Sequence, residues 1–351
     1  HHTRPAEDAA ATLDEILGQG ASVSIYMFHG GTNFGFFNGA NHGKGYEPTV
    51  NSYDDDAPIN EAGDLTPKYH AFREVIGKVR ELPGGPAPAD SVKRAYGPVA
   101  LTQRAGLLDN LERLASPVHR ATPDPMEAVG QDFGFILYRT EVVGPREELP
   151  IVLQDCHDRA LVFVDGEYRG VVYRNDEAPQ VKAAFGPGAH RLDLLVENMG
   201  RVNYGFHLHD RKGITLCARH GQQFLFGWEI YPLPLQDLRR LQFAPVDCLT
   251  GPAFFRGTFA VDEPADTFLA LPGWTCLAFG YPTGQPTMYW MFQFSCQSPR
   301  TYWTGVGQPP PTGRPLPNGK SQTPASVNRC GVSSSLARSL TSCVASGSCW
   351  L

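Results

Sequence analysis

The last quarter of the sequence holds no acid. All 36 Asp and Glu fall in the first 266 residues, and at that rate the remaining 351 − 266 = 85 should carry roughly eleven. Within that tail, PPPTGRPLPNGKSQTPAS and SSSLARSLTSCVASGSC also lack the large apolar residues that could offset chain entropy, so disorder is expected there. A basic surplus is missing too: the net charge of −6 and pI near 6.0 exclude the counterion-releasing face of a nucleic-acid binder. No apolar run reaches the roughly 18 to 20 residues that cross a bilayer, so no membrane partner is expected. The opening His1-His2-Thr3-Arg4-Pro5 is neither an initiator region nor a signal peptide, and localisation is unreadable.

Cysteine is sparse where a fold is expected. Only Cys156, Cys217 and Cys248 precede residue 270, and none has a Cys-x-x-Cys partner, so each is read as a packed small hydrophobe. His29 and His42 lack Cys or acid at ligand spacing and are read as loop histidines, which leaves no metal site and no cofactor. Asp54, Asp55, Asp56, Glu61 and Asp64 sit in a Gly/Pro/Asn-rich connection without the Gly and terminal Glu of a calcium loop, so they are expected to form solvated turns.

What is present divides into an α/β part and a β part. From Pro5 to Gly20, Ala9, Ala10, Leu13, Ile16 and Leu17 recur at helical spacing, followed by an apolar run, Ala21 to Phe28, that suits a strand covered on both faces. Thr66-Pro67 opens a second helix with Phe72, Val75, Ile76, Val79 and Leu82 on one face. After the linker PGGPAPAD, short β-rich runs follow closely: Phe133 to Val142, Ile151 to Leu153, Ala160 to Val164, Tyr168 to Tyr173, His190 to Val196, Phe224 to Tyr231, Phe254 to Val261 and Thr267 to Leu271. Asp165-Gly166 predicts a type I′ hairpin turn, because both central residues of that turn need positive φ.

YMFHGGTNFGFFNGAN (Tyr26 to Asn41) and SYDDDAPINEAGDLTPKY (Ser52 to Tyr69) resemble the end of the catalytic barrel in family 35 β-galactosidases. LLVENMGRVNYG (194 to 205), KGI (212 to 214), GPAFFRGTF (251 to 259) and ADTFLALPGW (265 to 274) resemble that family's β-domains. The resemblance implies α/β plus all-β: the incomplete C-terminal part of a (β/α)8 TIM barrel, followed by jelly-roll, galactose-binding-like β-sandwiches. The implied division is barrel end 1–83, linker 84–96, first sandwich 97–240 and the start of a galactose-binding-like sandwich at 241–274. The remainder, 275–351, is divergent, as a shift of reading frame near Thr275 would leave it.

Retaining glycosidases need two carboxyl groups about 5 Å apart. In this family both are glutamates on earlier barrel strands, which by resemblance lie before His1, so the chain is expected to carry no catalytic residue and to be inactive by itself. Its expected partner is a β-galactoside sugar, contacted by Tyr26, Tyr53 and Asn33. Taken bare, Tyr26 reads as a strand tyrosine with its ring in the core and its hydroxyl bonded to backbone, and it is the family resemblance that turns it toward the sugar; Asn33 could equally well serve to shape its loop. Asp55 stands where the family usually carries a second tyrosine facing the sugar. A carboxylate there loses aromatic packing but can still accept hydroxyl hydrogen bonds. The alternative is a non-catalytic carbohydrate-binding sandwich using Trp228, Tyr231 and Tyr204, which are otherwise core residues.

Overall fold

The computed structural model describes residues 3–33, 36–49, 52–53, 56–178, 181–246 and 251–269, with three short strands beyond them. Helix α1 spans Ala6–Gly18, with Glu7 and Asp8 in its first turn, where acids favour the positive end of the helix dipole. It ends where Gly20 takes φ +73, a conformation that glycine adopts without penalty, and the Gly20 amide closes on the Leu17 carbonyl at 2.9 Å.

The run Ala21–Phe28 is not a strand. Residues 21–25 form no regular element, 26–28 form a turn and a bend, and the run is largely exposed. A strand covered on both faces exists only between hydrogen-bonded neighbours, and here the Phe28 carbonyl, which accepts from Ile59 N at 3.0 Å, engages a neighbour only at the end of the run.

The connection from Gly30 to Asp64 instead carries four short strands. They are β1 (Gly31–Thr32), β2 (Gly39–His42), β3 (Tyr46–Pro48) and β4 (Ser52–Tyr53), with β1 antiparallel to β4 and β2 to β3. Helix α2 (Pro67–Val79) starts on the proline, and the Thr66 hydroxyl donates to the Pro58 carbonyl at 2.9 Å. The two helices bury Ala10 and Leu13 against Val75, with Leu17, Phe72 and Ile76 around them, and Lys78 meets Asp14 at 2.7 Å.

The β part begins with β5 (Leu101–Gly106) and β6 (Val118–Arg120). Next come β7 (Phe135–His157), β8 (Arg159–Val164), β9 (Glu167–Tyr173), β10 (Lys182–Glu197), β11 (Arg201–Gly205), β12 (Gly213–His220), β13 (Gln223–Phe224) and β14 (Trp228–Leu233). One sheet runs β13-β12-β7-β10-β8-β9, with β14 bridging β7 and β6. The runs expected separately at 133–142 and 151–153 are one 23-residue strand that pairs with β14 at its start and β12 at its end. The β8–β9 turn has the expected form, with φ +53 at Asp165 and +85 at Gly166. Central strands are buried on both faces: Ala160, Val162 and Val164 enter one core with Leu192, Leu194 and Trp228, while Leu161 and Phe163 enter a second with Leu195, Tyr231 and Phe254. Each of the Val, Leu and Phe side chains among them contributes about 1.5 to 3 kcal/mol on burial.

A second sheet joins β5 to β15 (Ala244–Pro245) and β16 (Ala253–Gly257), across the division expected at 240/241. It continues through β18 and β19, and a separate pair joins β17 to β20, where β17 is Thr267–Leu269, β18 Leu277–Gly280, β19 Met288–Phe292 and β20 Cys330–Val332. The disorder expected for the rest of the tail lies outside the described residues.

Candidate functional site

The short ladder between β1 and β4 sets Gly31 opposite Tyr53 and Thr32 opposite Ser52. The half-buried Asn33 follows directly after β1, two residues beyond Tyr53's partner Gly31, so the ladder draws together segments 20 residues apart in sequence. The Thr32 hydroxyl donates to Glu61, and Gly30 and Ile59 on either side exchange backbone hydrogen bonds with the neighbouring chain, at 2.8 Å from Gly30 N to Ile59 O and 3.0 Å from Ile59 N to Phe28 O.

Tyr26 stands apart at 92% exposed, with no hydrogen-bond or ring partner among the described residues, so the core-tyrosine alternative does not hold. Asp55 lies outside the described residues.

Of the acids of the connection, Asp54 and Asp55 lie outside the described residues, and Asp56, Glu61 and Asp64 are part-buried and paired rather than solvated. Asp64 N donates to Asn60 Oδ1 at 2.9 Å, and the Asp64 carboxylate pairs with Lys93. Burial pushes the Asp56 carboxyl up, but the Arg4 amide (2.7 Å) and Lys68 ammonium (2.5 Å) outweigh it and hold it below its ordinary value. No group of three His, Cys, Asp or Glu suited to a metal ion occurs among the described residues. His29 is an exposed bridge residue, and His42 stacks on His207 with ring centroids 4.3 Å apart. Burial, then the neighbouring Arg174 and His207, lowers the His42 pKa.

Of the three aromatics expected as alternative sugar platforms, two are core residues. Trp228 is 1% exposed, donates Nε1 to the Leu225 carbonyl at 3.0 Å and meets Tyr138 edge-on. Tyr231 is equally buried, because β14 lies between the two cores, and only Tyr204 faces solvent. Cys156 is packed as expected and its burial raises the thiol pKa, whereas Cys217 is only half-buried and faces Gln154.

Sequence reasoning missed a buried charge cluster at the sandwich end beside β2 and β3. Lys212 is wholly buried and donates to both Asp158 oxygens, at 2.9 and 2.8 Å, and to Asp210 at 2.8 Å. Arg174 reaches Asp158 at 2.7 Å and Asp210 through two bonds of 2.9 Å. The Tyr46 ring lies 4.3 Å from the Arg174 guanidinium and 4.6 Å from the Lys212 ammonium, with its hydroxyl 2.9 Å from Asp158 Oδ2 and 2.6 Å from the Gly200 carbonyl.

Asp158 and Asp210 are thus carboxylates that the fold does bring together, yet they are no acid and nucleophile pair. Burial acts to raise Asp210, but Arg174 and Lys212 prevail and hold it down to about 2, so it has no proton to donate near neutrality. No local pattern announces the cluster, because its five members come from four separate chain segments, and only Asp210 and Lys212 are near neighbours in sequence.

The model for glycosyl hydrolases family 35 matches residues 1–79, and that for the first all-beta domain of beta-galactosidase matches residues 123–234. Among similar proteins, a beta-galactosidase-1-like protein of Mus musculus is 42% identical over 291 residues, covering 78% of this chain and 44% of that protein. A beta-galactosidase of Bos taurus is 40% identical over 303 residues, 78% of this chain and 46% of its own. A beta-galactosidase of Xanthomonas manihotis is 39% identical over 274 residues, 77% and 45% respectively. The chain therefore spans less than half the length of these relatives.

Proposed function

Residues 1–79 belong to the glycosyl hydrolases of family 35 and residues 123–234 to the first all-beta domain of beta-galactosidases, and from that premise we propose that the chain is the sugar-contacting and supporting part of an enzyme that hydrolyses terminal β-D-galactosides, and is inactive by itself. The route is retaining double displacement: one carboxylate attacks the anomeric carbon, and a second carboxyl group protonates the leaving oxygen and then activates water. That pair is not among the carboxylates that the described residues bring together, so this chain's part is to contact the sugar and to support the contact.

In this division of labour Tyr53 packs against the pyranose face, Asn33 hydrogen-bonds a hydroxyl or shapes the loop that does, and Tyr26 offers its free ring to the galactosyl unit. Asp55 accepts hydroxyl hydrogen bonds in place of an aromatic platform. The observation that carries the assignment is the β1–β4 ladder, which supports Asn33 and Tyr53 acting on one ligand. At the level of fold, α1, the run 21–28 and α2 are the closing units of an eight-stranded barrel, and the β part comprises jelly-roll and galactose-binding-like sandwiches. The order helix, apolar run, helix and the packing of α1 on α2 support the first of these.

Two measurements on the purified chain test this. Nitrophenyl β-galactoside should give no turnover, and turnover would refute the division of labour. Titration calorimetry with galactose should give saturable heat that Tyr53→Ala abolishes. An unchanged heat in that variant removes Tyr53 from the site.

A further inference from the structure

We propose that the cluster of Tyr46, Asp158, Arg174, Asp210 and Lys212 is a positioning device that fastens the loop carrying Asn33 and Tyr53 to the all-β part. The sugar-contact consequence rests on the function proposed above; the fastening itself does not.

The chemistry is that of a neutral, fully paired knot. An ammonium leaves water at great cost unless its protons find acceptors, and Lys212 finds three carboxylate oxygens within 2.9 Å. Two carboxylates face two cations, and Met199 N supplies a further donor to Asp158 Oδ2 at 2.9 Å. Asp158, Arg174, Asp210 and Lys212 all belong to the sandwich. Tyr46 alone comes from the loop, and it is held in one orientation by both ends of its side chain. Its ring lies against both cations and its hydroxyl against Asp158, while its backbone carbonyl accepts from Asn175 Nδ2 at 2.9 Å. Buried ion pairs add little net stability over apolar packing but discriminate strongly among geometries, which suits registration better than cohesion.

A second, independent observation points the same way. Strand β2 runs parallel to β11, from Arg201 opposite Gly39 to Gly205 opposite His42. The backbones approach so closely that a Cβ on Gly205 (φ +117) would stand 2.2 Å from the His42 carbonyl oxygen, and one on Gly200 (φ +147) 2.4 Å from that of Gly39. Only glycine fits at either place. Asn38 adds a bond from its amide to the Met199 carbonyl. The loop is therefore stitched to the sandwich on both sides of the β2–β3 turn.

Hydrogen–deuterium exchange of the full chain tests the device. In Tyr46→Phe, which keeps the ring and removes only the hydroxyl, amides of residues 31–32, 39–47 and 52–53 should exchange roughly tenfold faster, while β8 and the paired core of β7 and β10 keep their protection. Gly205→Ala should do the same from the other side, and the pair keeps the test open should one variant fold poorly. Unchanged exchange in the loop overturns the proposal. Equal loss of protection in β7, β8 and β10 overturns it too, since the cluster would then be general scaffold. Galactose titration of the same samples separates the two claims: faster loop exchange in a wild-type background that binds no galactose keeps the fastening and removes the sugar role.

Discussion

At the scale of single residues, the outcome is decided by which polar atoms lose their partners. Lys212→Met leaves Asp158 and Asp210 buried beside one cation instead of two, and should lower the unfolding free energy by about 3 to 5 kcal/mol in urea denaturation. Tyr138→Phe is milder. The buried hydroxyl donates to the Asp124 carbonyl at 2.7 Å and accepts from Ile214 N at 3.1 Å, so its loss strands both groups at about 1 to 3 kcal/mol by the same assay.

Acid acts through the same cluster. Burial raises the Asp210 carboxyl, but its cation partners hold it at about 2 in the fold, below its ordinary 3.8, so the folded state binds fewer protons than the unfolded one. Its contribution is complete above about pH 4 and disappears as pH falls through about 2. Asp210→Asn should flatten that acid limb of a stability–pH curve, and a limb of unchanged steepness would assign acid lability elsewhere.

At the scale of elements, local chemistry that resides within a few residues was legible. Both helices start where 3.6-residue spacing and Pro67 put them, but α2 ends at Val79, so Leu82 lies outside it, and Ile16 and Val79 are exposed rather than on a buried face, because each helix buries only one side against the other. The Asp165-Gly166 turn has the expected two positive φ values, and the Asp165 carboxylate also accepts from the Arg191 amide at 2.8 Å. Gly166→Val should cost about 1 kcal/mol or more of stability, chiefly by backbone strain at φ +85, as thermal unfolding would show.

The long β7 was not legible as one strand. Gly144-Pro145 reads as a break, and the strand persists across it because β10 pairs on both sides, from Phe135 to Pro150. The same reasoning explains Ala21–Phe28 in reverse. Its composition suits a buried strand, but strand character belongs to the pair of chains, and no ladder among the described residues includes residues 21–28, which meet Ile59 only at the Phe28 carbonyl.

At the scale of the molecule, the two parts differ in how much they bury. The helical pair closes over Ala10, Leu13 and Val75, whereas the sandwiches carry two extended cores, so the former should open first. Limited proteolysis should cut within residues 21–30 before any site in β7, β8 or β10. Simultaneous cleavage in both parts would show that the loop fastening makes them one cooperative unit. No helix among the described residues is long and apolar enough to span a bilayer.

Sequence alone determined the turn chemistry, the helical faces, the apolar content of the central strands and the kinship of residues 1–79 and 123–234, because each is written in neighbours along the chain or in a contiguous motif. Only the tertiary structure decided that Trp228 and Tyr231 are core rather than platform, that Tyr53 pairs with Gly31, two residues before Asn33, and that Lys212 is buried among Asp158, Asp210, Arg174 and Tyr46. Burial and charge pairing are properties of surroundings assembled from distant segments. Five residues spread from position 46 to position 212 acquire a common role only once the fold removes the water between them.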